Sequence, residues 1–226
     1  MWRIKRSPRL AAALLALLLF MLPPARAEEG GAAPDAHAQR RFVIELWQLV
    51  NAARDAASVP PLTLDLALSA PAQTRAAECL FADMRAQKTA HLRPDGRAFY
   101  TALEEAGFSD WRNARENLAY SSDLTLSAGR AFQSWMASDS GHREAMLDPA
   151  VTTMGAGAFR AAAGTAVAGK LYPDGCMFLC LLLTDGTPKE PYIPQGSFDD
   201  GSGLTLLLRR PALPTRRGRG LYPSTR

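Results

Sequence analysis

The apolar periodicity of this chain changes once, and that change limits its fold more than any single motif. Up to about Ala137, apolar residues recur at helical spacing. Phe42, Leu46, Leu49, Val50 and Ala53 form one stripe, Leu68, Ala72, Ala76, Leu80 and Met84 a second, and Ala128, Ala131, Phe132 and Trp135 a third. Beyond Thr152 the helical period is lost. Residues 152–159, 165–171 and 177–184 are apolar, β-tolerant, and separated by Gly, Pro and Asp. Helices first and strands late predict an α+β domain with an antiparallel sheet.

Punctuation sharpens the element boundaries. VPPL at positions 59–62 ends the first helix, since two prolines forbid continuation. A second helix extends to about residue 87; Ser69 as its N-cap would leave Pro71 in the first turn, where a missing N–H costs little. The spacing predicts a short helix over 97–106, stopped by Gly107, and another over 126–137. CMFLCLLLT, at 176–184, reads as a buried strand.

The two ends differ from the body. Residues 1–27 combine a basic start (Arg3, Lys5, Arg6, Arg9), an apolar run from Leu10 to Leu22 and an Ala-Arg-Ala cleavage pattern at 25–27, so they read as a secretory signal. The run is shorter than the roughly 20 residues a spanning helix needs. A secreted, extracellular or cell-envelope protein is therefore expected. Residues 28–39, rich in Ala, Gly and charge without a period, read as a linker, and His37 as a solvated side chain within it. Residues 40–185 are the expected domain. From 186 to 226 the chain fills with Pro, Gly and Ser and then Arg, which predicts disorder. Of the 26 basic residues, five lie in the signal and six in residues 209–226; the remaining 15 face all 22 acids, a net of −7 for residues 28–208. The high pI is thus no argument for nucleic-acid binding by the domain, whereas the cationic tail suits salt-sensitive retention on an anionic envelope polymer.

Three cysteines leave one unpaired within the chain. Cys176 and Cys180 lie four apart in the expected strand, roughly 13 Å at about 3.3 Å per residue, too far for a direct bridge. Pairing of Cys79 with one of them and three buried thiols both remain open.

Chemistry concentrates in three polar islands, HLRPDG (91–96), RENLAY (115–120) and SWMASDSGHRE (134–144). His91, Glu116 and His142 are donor types zinc accepts, though no local HExxH-type pair is present. They also fit structural roles, His91 tying down the RPDG turn and His142 capping the turn before a short helix. RPDG is good turn chemistry, and Trp135 reads as core. Ser140 beside His142 lacks both an elbow motif and an orienting acid, which argues against a Ser-His nucleophile.

The order LVNAAR (49–54), PLTLDLALSAPAQTRA (61–76), HLRPDG, ENLAY, SWMASDSGHR and MGAGAF (154–159) resembles the CAP superfamily, the cysteine-rich secretory, antigen 5 and pathogenesis-related proteins, and is most similar to its small secreted bacterial members. The resemblance implies a three-layer α-β-α sandwich around a central antiparallel sheet. It also implies a cleft lined by two histidines and two acids, in which the histidines can hold a divalent metal such as zinc. Carried over by residue, the histidines fall on His91 and His142 and the first acid on Glu116; the second acid position falls near Ser138. Arg115 stands where the family usually has a glycine. The expected cleft is therefore His91, Glu116, Asn117, Ser138 and His142, with His91 and His142 as metal ligands if zinc binds. The expected function is a non-enzymatic binding or interaction module for a lipid, a peptide or a cell-envelope component, acting as a monomer. The alternative is a metal-assisted hydrolase or protease with Glu116 as general base.

Overall fold

The computed structural model describes residues 31–84, 90–122 and 124–194. The signal segment, the first three residues of the expected linker and the arginine-rich tail lie outside them. In chain order the elements are β1 (Gly31–Ala32), α1 (Ala36–Ala56), β2 (Thr63–Leu64), α2 (Ser69–Glu78), α3 (Thr101–Glu105), β3 (Ala114–Ser121), α4 (Ala128–Ala137), α5 (His142–Met146), β4 (Thr153–Ala161), β5 (Thr165–Val167), β6 (Lys170–Tyr172) and β7 (Cys176–Thr184).

The sheet runs β1-β4-β7-β3, with β2 also pairing with β4. All its pairings are antiparallel except the two-residue β2–β4 contact. β5 and β6 form a separate hairpin.

β7 is buried along its whole length because both faces are covered. Side chains alternate across a strand. Met177, Leu179, Leu181 and Leu183 therefore join the core under α1 and α4, with Phe42, Leu46, Val50, Phe132 and Trp135. Cys176, Phe178, Cys180 and Leu182 join a second core with Ala72, Ala76, Cys79 and Leu103. Two cores on opposite faces of one antiparallel sheet make an α-β-α sandwich.

The glycines of MGAGAF set the spacing on the second face. A Cβ on Gly157 would lie 2.2 Å from Gln73 N, and one on Gly155 would lie 2.5 Å from the Leu68 carbonyl carbon. Backbone thus packs on backbone, and α2 lies close enough for Gln73 Nε2 to donate to the Ala158 carbonyl.

Several boundaries differ from the sequence reading. The expected linker holds β1 and the first turn of α1, because Asp35 caps that helix by accepting from Ala38 N at 2.9 Å. The second helix stops at Glu78, with turns following. ENLAY is a strand, although its polar residues hid the alternation. Nor does the ordered domain end at Asp185. Buried Asp65 accepts from the N–H groups of Lys189 and Glu190, both at 2.9 Å, and Tyr192 meets Trp47 edge-on at 5.8 Å. The compact unit closes at Tyr192. All three cysteines are free and buried, consistent with the two on β7 facing the same side four residues apart.

Candidate functional site

A cleft of about 510 Å³ opens between the C-terminal half of β3 and the α4–α5 corner, lined by His91, Leu118, Tyr120, Trp135, Ser138 and His142 among others. The fold brings the two histidines together from different directions. His91 precedes the RPDG turn, which closes through Gly96 N donating to Arg93 O at 2.8 Å, with Gly96 at φ 84°. His142 is the first residue of α5, following Gly141 at φ 89°, a conformation that favours glycine. Trp135 forms the cleft's inner wall, 1% exposed, and its Nε1 donates to the Leu118 carbonyl at 3.0 Å.

Glu116 does not line this cleft; it lies behind His91. Its side chain has no exposed surface. Arg75 Nε donates to Oε1 at 2.7 Å and Nη2 to Oε2 at 3.3 Å; His91 Nδ1 bonds Oε2 at 2.7 Å and the Cys180 thiol donates to Oε1 at 3.8 Å. Each oxygen thus accepts two donors, the usual capacity of a carboxylate. A carboxylate can only accept, so His91 carries its proton on Nδ1 and is left with Nε2 for a ligand. Burial alone would pull the Arg75 guanidinium down, but the Glu116 hydrogen bonds and charge and the bond to Glu78 hold it above its ordinary value. Glu78 also binds Arg93, whose other contacts are Thr101 and Glu105, so a chain of charges ties α2 to the loop after His91.

His142 is held from the other side. Its Nδ1 lies 3.0 Å from Ser138 Oγ, and its backbone carbonyl accepts from Asn117 Nδ2 at 2.9 Å. Asn117 Oδ1 is buried without a partner among the described residues. Burial and the neighbouring His91 push the His142 imidazole below its ordinary value, with Glu144 opposing.

The sequence model of the cysteine-rich secretory protein family, CAP, matches residues 47–180, more than half of the 226 residues. The chain belongs to the CAP family. Among solved structures this CAP domain is similar to an outer surface protein of Borrelia burgdorferi, at 18% identity, covering 70% of this chain and 99% of that one, TM-score 0.49. It is also similar to an extracellular SCP-domain protein of Bacillus anthracis, at 18% identity over 65% of this chain and 41% of that one, TM-score 0.48. The CAP domain of enterococcal PrgA matches at 16% identity over 84% of both chains, TM-score 0.43. The chain spans only about two-fifths of the length of the Bacillus protein. No curated protein matches. Among the described residues no helix is long and apolar enough to cross a membrane.

Of the five residues expected at the CAP cleft, His91, Ser138 and His142 line it, while Glu116 and Asn117 stand behind the histidines as their supports. The donor set does not fit a zinc centre. Two imidazole Nε2 atoms remain, Ser138 is not an acid, and both Glu116 oxygens are filled by Arg75, His91 and Cys180. Among the described residues no three His, Cys, Asp or Glu side chains are placed to share a metal. In this arrangement the Glu116 carboxylate, the general base of the hydrolase reading, has no exposed surface and meets Arg75, His91 and Cys180. Sequence reasoning missed Arg75 and Glu78. The available signal was position: Arg75 lies three residues after Ala72 and next to Ala76, on the buried stripe of α2.

Proposed function

We propose that this CAP domain is an exported, non-enzymatic binding module whose ligand sits in the His91–His142 cleft. One observation carries the reading: Glu116, the acid behind His91, is spent on Arg75 and on orienting that histidine, and no carboxylate lines the cleft among the described residues. What remains is two imidazoles, Ser134 and Ser138 against the apolar wall of Leu118, Ala119 and Trp135. An apolar cleft with a few convergent polar groups suits an amphipathic ligand better than hydrolysis. Export rests on the signal pattern of residues 1–27 and is checked by N-terminal sequencing of the protein recovered outside the cytoplasm.

The test is a binding screen on the full chain, using fatty acids, phospholipid vesicles and short peptides, beside protease and esterase assays with and without added zinc. A ligand whose affinity falls at least tenfold in the His91→Ala, His142→Ala double variant supports the reading. Zinc-dependent turnover that disappears in Glu116→Gln overturns it.

A further inference from the structure

Among the described residues β3 ends the sheet, pairing with β7 on one side and with no strand on the other. In an antiparallel pair, residues alternate between exchanging hydrogen bonds with the partner and pointing their main-chain groups away from it. Asp185 N donates to Asn113 O at 3.2 Å, one step beyond the first strand pair, Ala114 with Thr184. Counting from there, residues 115, 117, 119 and 121 face β7, while Glu116, Leu118 and Tyr120 direct their N–H and C=O outward. The bond from Trp135 Nε1 to the Leu118 carbonyl confirms that phase.

The two halves of this edge are treated differently. Its first half is covered: Glu116 and Leu118 are each 7% exposed, Trp135 takes the Leu118 carbonyl, and the side chains of Arg115 and Asn117 hold Asp148 and the His142 carbonyl alongside. Its second half, Ala119–Tyr120–Ser121, carries neither charge nor proline, the usual protections of a bare edge. Tyr120 is 47% exposed, and no hydrogen bond joins its main chain to any element beyond β7 among the described residues. The histidine cleft continues along this half. It shares Ala119, Tyr120 and Ser134 with a second recess of about 180 Å³ that reaches Ser127 and Arg130.

We infer that the ligand of this cleft is an extended polypeptide segment that adds to the open half of β3 by pairing with the main chain of Tyr120. The inference rests on the binding reading above and names its ligand class. An outward N–H and C=O on one residue match what a peptide in β-addition takes. Alternate side chains of the guest would then enter the histidine cleft and the Ser127–Arg130 recess. Capping of the Leu118 carbonyl by Trp135 fixes where pairing must stop.

The experiment uses the full chain and octapeptides selected from a phage-displayed library, resynthesised with and without N-methylation at alternate residues. Tyr120→Pro deletes the outward N–H together with the phenol ring and leaves the β7 ladder intact, because that N–H takes no part in it and proline is tolerated on such an edge; Tyr120→Ala removes the ring alone. Expected results are a fall in affinity of about tenfold for Tyr120→Pro, a similar fall on wild-type protein for peptides N-methylated in one alternate phase, and a smaller change for Tyr120→Ala, which keeps the N–H. The methylated peptides decide the matter even if the proline variant misfolds. Binding confined to lipids, or self-association of the chain that Tyr120→Pro abolishes, overturns the peptide inference and leaves the cleft reading standing. Failure of every ligand to respond to His91→Ala, His142→Ala removes both.

Discussion

Two arginines, each 1% exposed, are buried on opposite sides of the sheet and do different work. Arg54 sits at the end of α1 among carbonyls. It donates to Pro60, Met146, Asp148 and Val151 oxygens at 2.7 to 3.2 Å, closing the loops after α1 and α5 onto the start of β4. Arg75 sits among carboxylates, those of Glu116 and Glu78. Burial pulls the Arg54 guanidinium below its ordinary value, only partly offset by Asp148, whereas Arg75 is held above its own. The contrast separates two uses of a buried cation. Spread over neutral dipoles it staples loops; matched to acids it fixes the ring of His91 at the cleft.

Removing one partner from the Arg75 cluster should give the largest loss of stability. Arg75→Met strands Glu116 in the core, and about 3–5 kcal/mol is expected from urea midpoints. Arg54→Met should cost less, about 2–3 kcal/mol, because it strands neutral carbonyls. The sharper comparison is rescue. An Arg75→Met, Glu116→Leu double variant should regain most of the lost stability, since an apolar pair replaces an ionic one, while its His91 loses the acceptor that set its tautomer. No single second substitution can rescue Arg54→Met, whose acceptors are backbone. Equal losses without rescue would show that the two arginines act alike.

Gly157→Ala breaks the comparison from one side only. Its Cβ would lie 2.2 Å from Gln73 N and 2.4 Å from the Ala72 carbonyl carbon, so α2 must move. A cost of about 1–3 kcal/mol is expected. The His91 ring resonances should shift because Arg75 travels with α2, whereas signals around Arg54 should stay in place. A shift at both sites would mean that the two faces of the sheet are coupled.

The smallest effect is the pH dependence of His142. Burial and His91 depress this imidazole in the folded state, so the unfolded chain binds the proton more readily. Stability from this group is therefore complete above about pH 6.5, the unfolded value, and declines as the pH falls from there through the lower folded value. His142→Gln should flatten that part of the profile in thermal unfolding. The guanidinium groups stay charged throughout and add nothing to it.

How much of this was legible depended on whether a residue's role repeated with a period. The helical stripes led by Phe42 and Ala128, the uncharged run of β7 and the glycine stops announced their elements because burial recurs every 3.6 or two residues. β3 did not, because its inward positions hold Glu116 and Asn117, polar residues buried for the sake of the histidines. His91 and His142 were visible as a pair, yet the fate of Glu116 hinged on one arginine 41 residues earlier in the chain. That arginine looks like any charge on an alanine-rich helix until the sheet lies beneath it. The first turn of α1 escaped notice because AHAQ has no apolar stripe, although Asp35 was a fair cap signal.

The three thiols offer a way to time the motions of this molecule. Burial pushes Cys79 up to about 12 and raises Cys176 and Cys180 as well, so none reacts readily while the helical layer covers it. Alkylation under native conditions then reads how often each site opens, as amide exchange does for backbone groups. Cys180, wedged beneath Glu116, reports on the floor of the histidine cleft; Cys176, near the far end of the same strand, reports on the sheet margin. A ligand seated above His91 would slow the first clock and leave the second running.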